Sequence, residues 1–126
     1  MSLKQSIGQF GEQCIQHYLQ RYGFCILETN KHTRFGEIDI IAQKKQILHL
    51  IEVKTRTNTL FGLPEHAMTK QKFRKIKKVM YQIIEQDTQQ QKLRPIQIDF
   101  AAVEYNTLKK QIHVRFYWNI GEEDCM

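Results

Sequence analysis

The stretch from Arg34 to Arg56 restricts the fold more than any other part of this 126-residue chain. It reads Arg-Phe-Gly-Glu-Ile-Asp-Ile-Ile-Ala, a polar tip at Gln43-Lys44-Lys45-Gln46, and then Leu-His-Leu-Ile-Glu-Val-Lys-Thr-Arg. Apolar and β-branched residues alternate with charges on both sides of the tip, which predicts two strands joined by a tight hairpin. With a side-chain period of two, Glu37 and Asp39 should share one face and Ile38 and Ile40 the other. Glu52 and Lys54 should likewise share a face, opposite Ile51 and Val53. Folding the strands together brings Asp39 towards Glu52 and Lys54. Charges inside such apolar strands are costly unless something pairs with them.

The flanking segments complete an alternation of helices and strands. Residues from about Ser6 to Tyr22 predict a helix with Ile7, Phe10, Cys14, Tyr18 and Tyr22 on its apolar stripe and Gly23 at its C-cap. Gly8 and Gly11 are unfavourable inside a helix and suggest a close approach to another element. Phe24 to Leu27 predicts a short strand, followed by a polar loop through Asn30, Lys31, His32 and Thr33. After the hairpin, Thr57 to Pro64 is a loop, and a longer helix is expected from about Glu65 to Gln86. Its buried stripe is Phe73, Ile76, Met80 and Ile83. Gln89 to Gln91 form a polar linker, and two further strands are expected at Ile96–Tyr105 and Ile112–Trp118. The expected order is α-β-β-β-α-β-β: one α/β domain over residues 1–126, with its core at about 6–118. An acidic tail over 119–126 is expected to fray.

Charge and composition narrow the partners. Nineteen Lys and Arg against thirteen Asp and Glu give a formal charge of +6, which favours an anionic partner. No run approaches the ~20 apolar residues that span a bilayer, so no membrane partner is expected. The start, Met-Ser-Leu-Lys-Gln-Ser, lacks the apolar centre of a signal peptide, making the cytoplasm the expected location. Of the three cysteines, Cys14 and Cys25 lie in apolar patterns and are expected in the core, while Cys125 carries no signal. No Cys or His pair has zinc-ligand spacing.

The chemistry concentrates in the hairpin. Asp39 and Glu52 offer hard oxygen ligands of the kind Mg²⁺ or Mn²⁺ takes, with water completing the shell. Such a metal sharpens a water nucleophile and neutralises charge on a phosphodiester. Lys54 can reach the same phosphate and stabilise charge in the transition state. The competing reading is a strand-edge salt bridge of Lys54 with Glu52 or Asp39. Glu37 reads as supporting the site, or as pairing with Arg34 or Arg56, rather than as a direct ligand, and Arg56 is assigned the same supporting role. Glu12, taken on its own residues, reads as a solvated helix carboxylate. His32, His49, His66 and His113 show no catalytic spacing, and His49 reads as a satisfied strand histidine.

Four motifs together carry a resemblance. Gly-x-x-Gly-Glu in the first helix, Arg-Phe-Gly-Glu-Ile-Asp-Ile-Ile, Ile-Glu-Val-Lys-Thr-Arg and Phe-Gly-Leu-Pro-Glu resemble, in order and spacing, the YraN family of small bacterial proteins. The likeness extends from about Ser6 to Val103. That family in turn resembles the restriction-endonuclease-like superfamily, including the archaeal Holliday-junction resolvases. The resemblance implies an αβββαβ core with a mixed central sheet flanked by helices. It also implies metal-dependent nuclease chemistry, with branched or damaged DNA as candidate substrate. Glu12, Asp39, Glu52 and Lys54 match its catalytic signature, and Glu12 thereby becomes a third carboxylate reaching towards the metal.

The second helix supplies a nucleic-acid surface. Lys70, Lys72, Arg74, Lys75, Lys77 and Lys78 stand without one acid between them, so the i,i+4 pairs of an ordinary solvated helix are missing. A phosphate-tracking surface explains this imbalance, and nothing in the sequence reads bases. The expected partner is nucleic acid, DNA ahead of RNA, with a homodimer as a further candidate assembly. The alternative to a nuclease is a non-catalytic binding or scaffolding module on the same fold.

Overall fold

The computed structural model describes residues 2–126, apart from the side chains of residues 3–5; Met1 of the expected domain lies outside the described residues. Helix α1 (Leu3–Arg21) leads into strands β1 (Cys25–Thr33), β2 (Gly36–Lys44) and β3 (Ile47–Arg56). A 3₁₀ turn (Pro64–Ala67) precedes helix α2 (Lys70–Gln89), and strands β4 (Ile96–Asn106) and β5 (Gln111–Tyr117) follow. The five strands form one sheet in chain order. All neighbours are antiparallel except β3 and β4, the pair that α2 connects. A parallel pair needs a long crossover, and α2 provides it. This is the α/β arrangement expected, a mixed sheet with a restriction-endonuclease-like αβββαβ order and β5 added at the edge.

Each helix covers one face. Ile15 and Leu19 of α1 pack with Ile40, Ala42, Ile51, Val53, Ala101 and Val103. Phe73, Ile76 and Val79 of α2 pack with Ile38, Ile41, Leu48, Leu50, Ile98, Phe100 and Ala102. Double-sided burial explains why β2, β3 and β4 carry near-continuous apolar runs. The far end of β3 holds a buried polar pair. His49 Nδ1 lies 2.6 Å from Asp99 Oδ2, and Asp99 Oδ1 accepts from Gln97 Nε2 and the Asn119 amide. His49 is thus a satisfied core histidine.

Several expectations are corrected. The buried stripe of α1 is Gly11, Ile15 and Leu19, whereas Phe10 and Tyr22 are exposed. A Cβ on Gly11 would lie 1.7 Å from Thr55 Oγ1, so the helix meets the sheet at a residue without a side chain. That approach selects the buried face. Gly8 has nothing within 4 Å of a built Cβ and does not press on the sheet. Strand β1 is nine residues long and includes the expected loop, because an edge strand paired on one side tolerates polar side chains.

Cys25 is exposed and Cys14 half-buried, while Cys125 is buried beside α2. The tail is therefore built in rather than frayed. Residues Glu122–Asp124 form a 3₁₀ turn, and the Met126 backbone exchanges hydrogen bonds with Met68 and Lys70. The bond from the Lys70 amide to the Met126 carbonyl pairs a donor that the start of α2 would otherwise leave unpaired. Helix α2 begins at Lys70 rather than Glu65, because the Thr69 side chain caps it by accepting from the Lys72 amide at 3.1 Å. It also runs on to Gln89.

The hairpin tip carries positive φ at both central residues, Lys45 (51°) and Gln46 (67°). Two such residues define the turn that matches strand twist, which ordinarily recruits Asn-Gly. Replacing Lys45 by Asn and Gln46 by Gly should raise the unfolding free energy by roughly 1 kcal/mol. Urea titration would read this as a higher midpoint at unchanged slope; an unchanged midpoint would show that the tip is unstrained.

Candidate active site at the parting of β2 and β3

The β2–β3 ladder runs only as far as Ile40 opposite Ile51, whereas β2 stays paired with β1 through Gly36 opposite Thr33. Beyond Ile40, β2 leaves β3. The next inward amide of β3, Val53 N–H, donates to Asp39 Oδ2 at 2.8 Å instead of to a strand carbonyl. The side-chain alternation of β2 breaks here. Ile38 joins the α2 cluster and Ile40 the α1 cluster, so the expected sharing of a face by these two residues does not hold. Ile51 and Val53 do share a face, as expected.

Asp39 and Glu52 are both buried at this parting. Glu52 Oε1 is 3.5 Å from Lys72 Nζ, and Glu52 Oε2 is buried with no hydrogen-bond partner. Burial, followed by the adjacent Asp39 carboxylate, pushes the Glu52 pKa up to about 9, with Lys72 offsetting only part of the rise. Glu12, half-buried on α1, is raised to about 7 by burial and then by the charge of Asp39. Asn30 stands over it. With its amide turned to satisfy both neighbours, Asn30 donates to Glu12 Oε2 at 3.1 Å and to Glu37 Oε1 at 2.9 Å. Glu37 is exposed, and His32 Nδ1 lies 3.9 Å from its carboxylate. That histidine stands where Arg34 or Arg56 was the expected partner.

The carboxylates open onto two clefts. One, of about 640 Å³, is lined by Glu12, Asp39, Glu52, Lys54, Arg56 and Phe61 among others. The other, of about 390 Å³, lies towards α2 and includes Glu37, Asp39, Glu52, Lys72 and Lys75. Glu12, Asp39, Glu52 and Lys54 are thus brought together as expected. Arg56 lies at the rim of the larger cleft, with its Nε buried and without a partner.

The basic helix divides differently from its sequence. Lys72 belongs to the carboxylate cluster, and Arg74 pairs with Glu122 of the tail. The reading of six unopposed charges fails for these two, whose partners come from β3 and the C-terminal turn. Lys75 lines the smaller cleft, and Lys78 lies 5.9 Å from the ring of Phe35, another lining residue. Lys77 stacks over Phe73 and Tyr81, and Lys70 is exposed. Sequence reasoning missed Asn30 as a site residue and placed Lys72 only on the nucleic-acid surface of α2, not beside Glu52. The only local hint of that pairing was its place in the first turn after Thr69.

The sequence model described as "Uncharacterised protein family UPF0102" matches residues 11–115. The chain belongs to the UPF0102 family. It is 40% identical to a UPF0102 protein of Dictyoglomus thermophilum over 79% of this chain and 82% of that one. A UPF0102 protein of Clostridium botulinum strain Hall is 36% identical over 90% of this chain and 74% of its own. One from Syntrophomonas wolfei is 42% identical over 60% of this chain, and the match spans 66% of that relative, just under two thirds of its length. The matched region contains Glu12, Asp39, Glu52 and Lys54. No helix among the described residues is long and apolar enough to cross a membrane.

The donor set of this UPF0102 site fits a hard divalent cation. Two adjacent buried carboxylates, one with an orphaned oxygen, stand with a third nearby, and Lys72 offsets the rise at Glu52 only in part. As the side chains stand, no group of three or more His, Cys, Asp or Glu among the described residues is gathered to hold an ion. Asp39 and Glu52 would hold it, because Mg²⁺ commonly takes one or two protein carboxylates and keeps its waters.

The titration behaviour gives a test. Glu12 and Glu52 have folded-state pKa values above the ordinary 4.5, so the folded protein binds extra protons. Their contribution to stability is full below about pH 4.5 and is lost as pH rises through 7 and 9. The metal-free protein should therefore melt at progressively lower temperature from about pH 5 to about pH 9, and Glu52→Gln should flatten most of that fall. Melting curves in EDTA across this range would check it. A parent whose melting temperature is flat over the range would overturn the assignment.

Proposed function

We propose that this UPF0102 chain is a Mg²⁺- or Mn²⁺-dependent nuclease that binds nucleic acid and hydrolyses phosphodiester bonds. The observation that carries the reading is the buried Asp39–Glu52 pair at the strand parting, with Lys54 two residues on along the same cleft wall. A bound divalent ion would supply positive charge to the phosphate and a more acidic water. Asp39 is held by the Val53 amide, and Asp39 and Glu52 would hold the ion, with Glu12 on the same cleft. Water oxygen attacks phosphorus as the water gives up a proton to solvent, the bond to the leaving oxygen breaks, and that oxygen takes a proton from solvent. Lys54 brings an ammonium to the oxygens on which charge accumulates in this step.

Lys72 acts earlier in this reading. Its ammonium partly neutralises Glu52, a charge that a bound cation would supply in its place. It then stands beside the phosphate path with Lys75 and Lys78. A second reading, a binding module without turnover, draws support from the same Lys72–Glu52 pair, which occupies one candidate metal ligand with an internal cation.

Cleavage of linear, nicked and four-way DNA with Mg²⁺ or Mn²⁺ tests the proposal. The parent should cleave at least one member, and Asp39→Asn should cleave none and bind no Mn²⁺ in calorimetry. Lys54→Ala should bind Mn²⁺ and DNA normally and lose about 10²–10³ in rate, the loss typical of one preorganised charge donor. Tight binding of the panel without cleavage by the parent would favour the binding module. Cleavage by Asp39→Asn at the parent rate would show that the activity comes from elsewhere.

The phosphate path has its own measurement. Replacing Lys70, Lys75 and Lys78 by Gln should weaken binding of all duplex sequences equally. Each lost contact should reduce the slope of log affinity against log salt by roughly 0.9. An unchanged slope would move the binding surface off α2.

A further inference from the structure

The loop between β3 and the Pro64–Ala67 turn ends in an apolar tip. Leu60 is 82% and Phe61 83% exposed, among the largest exposures of any apolar side chain described. A lone exposed apolar residue is ordinary, but two adjacent ones on a raised turn expose the chain to aggregation. This tip is held in place. The Leu60 amide donates to Asn58 Oδ1 at 3.0 Å, and the Gly62 amide donates to the Thr59 carbonyl at 3.1 Å. Gly62 has φ of +93°, which a side chain would oppose, and a Cβ there would meet His66 at 2.7 Å.

The base of the loop is clamped as well. Pro64 is fully buried, and Glu65 receives two bonds from Arg115, Nε to Oε2 at 2.6 Å and Nη2 to Oε1 at 3.0 Å. Tyr117 donates to the same carboxylate at 2.5 Å, and Arg115 Nη1 donates to Glu104 at 2.6 Å. The apolar tip is thus presented by a braced support. Phe61 also lines the larger cleft with Glu12, Asp39, Glu52 and Lys54.

We propose that Leu60 and Phe61 form a wedge that receives an unstacked nucleobase, so that the chain selects nucleic acid with an interrupted stack over continuous duplex. This rests on the nuclease reading and adds its substrate class. The cleft recognises phosphate through charge, and its occupant is the polyanion that the +6 chain favours. The flat apolar surfaces of that polymer are its base faces, which are free only at a bulge, mismatch, junction or single-stranded end. An apolar wedge gains by meeting such a face, and at an intact step it must first meet the cost of unstacking.

The test uses the full chain in Ca²⁺, an oxygen-ligated ion that replaces Mg²⁺. Fluorescence titrations follow 2-aminopurine in a continuous duplex and in the same duplex with a two-nucleotide bulge. The parent should prefer the bulged DNA and raise its 2-aminopurine emission. Phe61→Ala should lose about tenfold in affinity for the bulged DNA, as expected for one stacking contact, while keeping its affinity for the duplex. Leu60→Ala should show a smaller loss in the same direction. An equal preference in parent and Phe61→Ala overturns the wedge and leaves the nuclease reading standing. A parent that binds neither DNA overturns both. Sedimentation of parent and Phe61→Ala gives the remaining arm: a dimer that Phe61→Ala dissociates identifies a second copy as the occupant and also overturns the wedge.

Discussion

The hydrogen bond from the Val53 amide to Asp39 lets β2 and β3 part without leaving a buried donor unpaired. An unpaired amide inside a sheet costs about as much as a lost hydrogen bond, so a ladder cannot simply stop in the core. Asp39 substitutes a side-chain oxygen for the missing strand carbonyl. The exchange brings a carboxylate into an interior lined by Ile38, Ile40 and Ile51, and Glu52 stands next to it. Everything else in the cleft follows from that placement. Burial and mutual repulsion hold protons on the cluster, Lys72 leans in from α2, and Asn30 bridges Glu12 to Glu37.

A site of this kind needs rigid surroundings, since repelling carboxylates would separate if their supports could move. The two apolar clusters clamp the sheet from both faces. On one side, Gly11 lets α1 come down onto Thr55, which brings Glu12 to the cleft. On the other, Thr69 caps α2 and the Met126 backbone bonds to Met68 and Lys70, fixing the first turn from which Lys72 reaches Glu52. The C-terminal residues thus act at a distance: Glu122 holds Arg74 and Cys125 fills the layer beneath α2. The Glu65–Arg115 clamp does the same for the loop. The two nitrogens of Arg115 hold the Glu65 carboxyl down at about 2, so this support persists until strongly acidic pH.

Asp39, Glu52 and Lys54 were legible because a strand has a period of two and a short polar tip forces the two strands together. Those are local rules, and local rules survive folding where the ladder is regular. They failed at Ile38, where the ladder ends. The helix stripe failed for a related reason. Phe10, Cys14 and Tyr18 form a row as regular as Gly11, Ile15 and Leu19, one residue round the cylinder. Hydrophobicity alone favours the aromatic row. Glu12 on its own residues looked solvated, and only the resemblance of the surrounding motif marked it.

By itself, then, the sequence determined the order of helices and strands, the hairpin, the three charged residues it brings to one cleft and the excess of positive charge. These depend on spacings of a few residues and on composition. The tertiary structure decided which helix face is buried, because the Gly11–Thr55 approach outweighs the apolar count. It decided that Lys72 belongs with Glu52 and Arg74 with Glu122, partners 20 and 48 residues away, which no helical spacing can anticipate. It also turned Leu60 and Phe61 from loop residues into a braced tip, with Phe61 on the cleft that holds the carboxylates, since that position depends on a clamp between Glu65 and Arg115, 50 residues apart.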